Sequence, residues 1–126
     1  MKTVDQSILD TLAEYDSATV QNAGILVRGY VAAEDDYTDP TMREYISPGA
    51  KPAVGYALTS TWTPISGEDS DGYARTDYFD SIGKANVPVI VVQQDVDNPA
   101  NRGAIIGDGM AYQMKALGAV GALVEG

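Results

Sequence analysis

The sequence contains no cysteine and no histidine. The chain by itself therefore excludes disulfides, thiolate or imidazole zinc sites, Ser-His-Asp triads and Cys-His dyads. A metal bound by this chain alone would have mainly oxygen ligands, and such ligands favour a hard cation such as magnesium, manganese or calcium.

Positive charge is also scarce, because 8 basic residues face 18 acidic ones and the formal net charge is -10. Such a surface repels nucleic-acid phosphates and anionic membranes, so neither is an expected partner, whereas a basic protein partner or a cation stays open. No apolar run approaches the roughly 20 residues of a membrane span, and the N-terminus lacks the apolar stretch of a secretory signal. We therefore expect a cytoplasmic protein.

The composition, 126 residues with 44% hydrophobic residues, is that of one soluble globular domain spanning residues 1–126. The pattern Ser7-x-x-Asp10 predicts the start of a short first helix. A second helix is predicted to begin near Asp16 or Ser17 and to end before Gly29. Both helices are expected to build the core.

Two polar segments are predicted to be loops. Residues 32–48 carry a run of acidic side chains, at Glu34, Asp35, Asp36 and Asp39. These could bind a cation, but they lack the alternating ligands and central glycine of a calcium loop, so a solvated loop is the favoured interpretation. Residues 66–72 are likewise predicted to form an exposed, turn-rich loop.

Three apolar segments, residues 53–62, 87–92 and 119–124, are predicted to be strands. A short helix is predicted over residues 76–82 and is expected to end at Gly83. Another apolar set recurs at helical spacing and is followed by Gly118, a typical C-terminal cap; its members are Ile106, Met110, Met114 and Leu117. The order strand, loop, helix, strand predicts a parallel βαβ unit at the C-terminal end, and hence an α/β fold.

The stretch Gly107-Asp108-Gly109-Met110 stands where the last helix should begin. Ligands of parallel βαβ units gather beyond the carboxyl ends of the strands, where the next helix offers free backbone N–H groups and the positive end of its dipole. Glycines would let a small anion approach the backbone closely, and Asp108 would supply a carboxylate beside it.

From the residues alone, a purely structural interpretation of the same stretch is favoured. In this interpretation Asp108 caps the helix while the glycines ease packing. The stretch is not a P-loop, since no Gly-Lys-Ser/Thr follows, and the spacing of Gly103, Gly107 and Gly109 is not that of the dinucleotide-binding G-x-G-x-x-G. Residue chemistry alone therefore favours the structural interpretation over a ligand site.

Four stretches resemble the RraA-like proteins, which include 4-hydroxy-4-methyl-2-oxoglutarate aldolases, oxaloacetate decarboxylases and regulators of ribonuclease E. They are SATVQNA (17–23), SPGAKPAVGYALT (47–59), VPVIVVQQDVD (87–97) and GAIIGDGMAYQMKALGAVGALVEG (103–126). The last is the most specific. It is similar to the family's Gly-Asp/Glu at a helix start, followed by Ala-x-x-x-Gly-x-x-Gly, an apolar strand and an acidic residue with Gly.

The resemblance implies the swivelling β/β/α domain, a homotrimer and a class II pyruvate aldolase or decarboxylase dependent on magnesium or manganese. Its substrate would be a small 2-oxo acid, cleaved through a pyruvate enolate. Asp108 would be catalytic and hold a metal-bound water that returns a proton to the enolate. The backbone from Gly107 to Met110, with the N–H groups near Gly109 and Met110, would bind the substrate carboxylate.

Two departures from the family leave alternatives open. The family's substrate-binding Arg and metal-ligating Asp would fall just beyond Gly126, so we expect no metal ligand within this chain and an incomplete domain, unless Asp95 or Asp97 substitutes. The family's early Ser-Asp-Ala is Gln21-Asn22-Ala23 here. A non-catalytic protein-binding regulator or an inactive remnant is therefore the alternative function.

Overall fold

The computed structural model describes residues 3–34, 36–47, 49–63 and 72–125. Its elements, in chain order, are α1 (Gln6–Leu12), α2 (Ser17–Arg28), β1 (Tyr56–Trp62), α3 (Gly72–Lys84), β2 (Val89–Asp95), α4 (Asp108–Ala116) and β3 (Ala119–Val124). The chain divides into two compact units, Met1–Ala53 and Val54–Gly126. The expectation of one domain over residues 1–126 stays a prediction.

The first unit contains α1 and α2, and an aspartate is the N-cap of each helix. The predicted start of α1 at Ser7 is wrong, because Asp5 is the N-cap and its carboxylate accepts from the Ser7 N–H. The predicted bounds of α2 are confirmed. Asp16 caps its start by accepting from the Thr19 N–H at 2.7 Å, and Gly29, at φ 80°, ends it.

The expectation that both helices build a core holds only for α1, where Leu9 is buried. In α2 no residue is buried, and Val27 is 89% exposed. Apolar spacing along a helix shows which face can be buried, but burial itself requires a second element against that face.

The second unit is a three-stranded parallel sheet in the order β1-β2-β3. β2 is the central strand, with Trp62 of β1 opposite Asp95 at its end. The predicted parallel βαβ unit, β2-α4-β3, is confirmed, and β1-α3-β2 forms another. The α/β class is therefore shown, while the swivelling β/β/α arrangement stays a prediction.

The strand predictions hold, with small differences at the ends. β3 has its predicted bounds, β1 begins three residues later than predicted, and β2 runs from Val89 to Asp95 rather than from 87 to 92. Gly55, just before β1, lies where a Cβ would come within 2.8 Å of the Pro88 carbonyl oxygen. This close approach explains a glycine at that position.

The prediction that Gly83 ends α3 is wrong. The helix continues to Lys84, and Asn86, at φ 53°, has the left-handed conformation. Gly83 instead lies inside the helix, where a Cβ would stand 3.2 Å from a methyl group of Leu117. In contrast, Gly118 has φ 104° directly after α4, as predicted for a C-terminal cap.

The core of the second unit lies between one face of the sheet and helices α3 and α4. Alternate residues of β1 are half-buried and exposed, whereas β2 is buried or half-buried along nearly its whole length. The buried cluster comprises Tyr78, Phe79, Ile82, Val89, Val91 and Met114. These contacts fix the carboxyl ends of β1 and β2, and hence the point from which the loop after β2 leaves the sheet.

The two segments predicted to be loops lie only partly within the described residues. No helix or strand is present in the described part of residues 32–48, as predicted, whereas Asp35 and residues 66–71 lie outside the described residues. Gly72, predicted to belong to the second loop, is instead the first residue of α3. Within the described residues, no helix is long and apolar enough to cross a bilayer.

Candidate functional site

The predicted site lies at the carboxyl edge of the sheet. Because the strands are parallel, β1 and β2 end side by side at Trp62 and Asp95. The loop of residues 96–107 leaves from this edge and leads into α4. The predicted residues Gly107 to Met110 therefore lie at the loop-to-helix junction, as expected for a ligand site of a parallel sheet.

The start of α4 differs from the purely structural interpretation. The N-cap is Gly107, which makes no side-chain capping bond, and Asp108 is the first helical residue. The Oδ1 atom of Asp108 accepts from the Gly109 N–H at 2.7 Å, and the Ala111 N–H donates to the Gly107 carbonyl at 2.9 Å. Asp108 therefore contacts the helix start from inside the first turn, where a carboxylate interacts favourably with the helix dipole.

Packing does not explain the two glycines. Gly107 has an ordinary extended conformation, with φ -118°. A Cβ at Gly107 or at Gly109 would have no atom within 4 Å. The idea that these glycines ease packing is therefore wrong. What they do is leave the backbone of the first turn open to approach from solvent.

The loop between β2 and α4 is organised by two aspartates. The carboxylate of Asp95 accepts from the Asp97 N–H at 2.8 Å and from the Asn101 N–H at 2.6 Å. Asp97 forms an ion pair with Arg102, and this guanidinium, together with the Asn98 N–H, lowers the pKa of its carboxyl group. Both carboxylates hold the loop in place.

A cavity of about 180 Å³ opens where the loop meets the strand ends. Its lining combines an aromatic ring, two carboxylates and small loop residues: Trp62, Thr63, Asp95, Asp97, Gly103, Ala104 and Ile105. None of the four residues from Gly107 to Met110 belongs to this lining. The structure thus separates the predicted helix-start site from the cavity, although both lie along the loop that follows β2.

Trp62 both packs in the second unit and lines the cavity. Its ring meets Tyr78 edge-on at 5.2 Å between centroids, and its side chain forms a wall of the cavity. A strand-terminal tryptophan that pairs with an aspartate on the neighbouring strand could have indicated this wall. That pairing depends on the strand register, which is not visible in either segment alone.

A buried polar group lies below this edge. Gln93 is 1% exposed and donates from Nε2 to the Tyr78 hydroxyl at 3.2 Å, and that hydroxyl contacts the sulfur of Met114. Burial raises the pKa of Tyr78. Among the described residues, Gln93 Oε1 is a buried atom without a hydrogen-bond partner, which carries a free-energy cost.

The described residues do not fit a metal ion on their own. They contain no group of three acidic side chains that could hold one. Asp95 already accepts two backbone N–H groups, and Asp97 is paired with Arg102. In the first unit, Asp36 pairs with Arg28 and accepts from the Ala32 N–H, so it stabilises its own loop. The guanidinium of Arg28 lowers the pKa of Asp36.

A side chain of α2 contacts the acidic loop of the first unit. Gln21 donates from its amide to the backbone carbonyl of Asp36. The residue therefore ties α2 to the acidic loop within the first unit.

Comparisons with protein-family models, with curated proteins and with solved structures give no match to this chain. The resemblance to RraA-like proteins therefore depends on the four sequence stretches alone. The structural basis for a function is therefore the helix start, the ordered loop and the cavity.

Proposed function

We propose that the carboxyl edge of the sheet binds a small 2-oxo acid, and that the activity is that of a metal-dependent pyruvate aldolase or decarboxylase of the RraA-like type. The substrates would be 4-hydroxy-2-oxo acids or oxaloacetate, cleaved through a pyruvate enolate. One observation carries the proposal: Asp108 stands in the first turn of the helix that follows the central parallel strand.

In this proposal, the backbone N–H groups in the first turn of α4 bind the carboxylate of the substrate. The first N–H groups of a helix have no partner within the helix, and the dipole favours an anion there. The Gly109 N–H, however, is already bound by the carboxylate of Asp108. An incoming carboxylate competes with this side chain, so charge at Asp108 opposes substrate binding even where it assists the reaction.

Proton transfer is the second role of Asp108. Its side chain is exposed, and Oδ1 accepts from the Gly109 N–H, so in this proposal Oδ2 is the oxygen that meets a water or a substrate atom. A carboxylate held in this way can accept a proton and return it to the enolate carbon, which is a general acid/base role.

The proposed reaction needs a metal ion, and this chain alone does not supply the ligands for it. Magnesium or manganese would polarise the 2-oxo group, but the described residues do not provide a ligand set. The chain's own residues account for carboxylate binding and proton transfer only, and the Arg-Asp pair of the family is absent from the 126 residues.

Binding is tested with the ¹⁵N-labelled chain titrated with pyruvate. We expect the amide signals of Gly109 and Met110 to shift. Asp108→Asn should bind pyruvate as well or more tightly, because the competing charge is gone. Asp16→Asn is the matched control, since it makes the same charge change at another helix start and should leave the affinity unchanged. If neither amide responds to pyruvate, the site is misassigned.

Turnover is tested with a coupled pyruvate assay. The 126-residue chain with magnesium should release no pyruvate above the metal-only background, because it lacks the pair. In a chain extended by that pair, Asp108→Asn should lower turnover roughly 10²-fold or more. Clear release by the unextended chain would contradict the need for the pair, and unchanged turnover in the extended variant would leave Asp108 a structural residue.

A non-catalytic protein-binding role is the second candidate, and β3 favours it. Within the described residues β3 pairs only with β2, and Val120 and Leu123 on it are each 45% exposed. An apolar edge strand is a surface for another chain. Sedimentation of the purified chain should therefore show self-association, with a homotrimer as the expected assembly, and a monomer that unfolds reversibly would speak against this role.

A further inference from the structure

The contact between Asp108 and Gly109 brings together the two groups that react in aspartate isomerisation. The Gly109 nitrogen lies 2.7 Å from Oδ1 of Asp108, so the carboxyl group is folded over its own peptide link. We propose that the Asp108–Gly109 link of the folded chain is a site of spontaneous succinimide formation and isoaspartate conversion. This inference is independent of the proposed function.

The reaction balances without any co-reactant other than water. The Gly109 nitrogen attacks Cγ of the protonated Asp108 carboxyl group and loses its proton, a C–N bond forms, and the hydroxyl leaves as water. The five-membered succinimide is then hydrolysed at either carbonyl. Water added at one carbonyl restores aspartate, and water added at the other gives isoaspartate, in which the main chain passes through the former side chain.

Two features of the helix start leave this nitrogen able to react. Gly109 is the second residue of α4, so its N–H has no acceptor in the helix ladder. It also has no Cβ, and a Cβ built there would have no atom of a more distant residue within 4 Å, so neither a side chain of its own nor a packed segment obstructs the ring.

Among the described residues, the other aspartates lack this combination. The Asn98 N–H donates to Oδ1 of Asp97 at 2.8 Å, but Asn98 carries a side chain and Asp97 is paired with Arg102. The carboxylate of Asp16 is turned to the Thr19 N–H, three residues along the chain. Asp80 lies well inside α3, where the N–H of the next residue belongs to the helix ladder, and its carboxylate pairs with Lys84 at 2.7 Å. Within the described part of the chain, the contact with the next N–H and a following glycine therefore occur together only at Asp108.

Conversion would change the helix start directly. An isoaspartate adds one methylene to the main chain and moves the carboxylate to a different carbon. The N–H groups of the first turn then lose their common direction, and the N-terminal end of α4 loses the carboxylate that binds Gly109. The modification would therefore remove the structural feature from which the candidate site is built.

The test incubates the folded chain at mildly acidic pH and follows tryptic peptides by mass spectrometry. Cleavage after Arg102 and Lys115 isolates residues 103–115, in which Asp108 is the single acidic residue. We expect a species lighter by one water in this peptide, followed by labelling with an isoaspartyl methyltransferase. Residues 76–84, which contain Asp77 and Asp80 of α3, are the internal control and should stay unlabelled.

Two variants separate ring chemistry from a change of fold. Asp108→Glu keeps the carboxylate but would need a six-membered ring, so it should abolish labelling. Gly109→Ala should slow it several-fold, and circular dichroism checks that the helix persists in both. If the peptide converts in urea-unfolded chain but not in folded chain, the fold protects the link and the proposal is overturned. Equal labelling of residues 76–84 would overturn it as well.

Discussion

The two units of the chain are stabilised in different ways. Met1–Ala53 has no strand among its described residues, and its ordered features are mainly polar contacts: the local caps at Asp5 and Asp16, and the Arg28–Asp36 and Lys51–Glu14 ion pairs. Val54–Gly126 instead buries side chains that are far apart in sequence, from Tyr78 to Met114. Local patterning thus suffices to form helices, but only non-local contacts produce a core.

The sharpest test of this difference compares one apolar truncation in each unit. Ile82→Ala removes a side chain that is 2% exposed, and should lower the free energy of unfolding by about 2–5 kcal/mol. Val27→Ala, at a residue 89% exposed, should change it by less than about 0.5 kcal/mol. Urea denaturation of both variants measures the contrast. A large loss for Val27→Ala would mean that another molecule buries α2 in solution.

A second prediction concerns the polar atoms inside the core. Gln93→Met removes the unpaired buried Oε1 at similar volume, so stability should stay equal or rise by about 1 kcal/mol. Tyr78→Phe removes the hydroxyl that receives the Gln93 N–H, and should cost about 1–3 kcal/mol because it leaves a buried donor unpaired. Thermal unfolding should therefore show a lower midpoint for Tyr78→Phe and an equal or higher one for Gln93→Met. A loss in both would indicate that Oε1 has a partner in solution.

The smallest expected effect is a difference in pH response. In the first unit, the Ser7 and Thr19 N–H groups lower the pKa of Asp5 and Asp16, and Arg28 lowers that of Asp36. A lowered folded pKa contributes stability that is present above about pH 4 and is lost as pH falls further. In the second unit, burial raises the pKa of Tyr78, so its contribution is present below about pH 10 and is lost as pH rises.

Residue-resolved hydrogen exchange measures this pH response. Between neutral pH and pH 3, protection should fall first in α1 and α2, while the amides of β2 stay protected. Within the second unit the loop held by Asp97 is the exception, since Arg102 lowers the pKa of that carboxyl group and its contribution is also lost in acid. Simultaneous loss of protection in β2 and α2 would show that the units do not differ in acid.

The candidate site was predictable in part. Its place after the central strand, and the start of α4 near Asp108, follow from apolar periodicity and from where glycines stand. The N-cap at Gly107 was not predictable, because the residue that adopts the cap conformation depends on how the loop arrives. The cavity was not predictable either, since it needs Trp62 and Asp95 to end side by side.

The sequence by itself determined the local elements: α2 between Asp16 and Gly29, β3 at its predicted bounds, and Gly118 after α4. Each depends on residues within a turn or two of one another, so the pattern is complete within the segment. Tertiary structure alone decided that Gly83 packs against Leu117 rather than ending a helix, and that Gln93 is buried beside Tyr78. These outcomes depend on contacts between segments, which strand register and helix packing fix only when the chain folds.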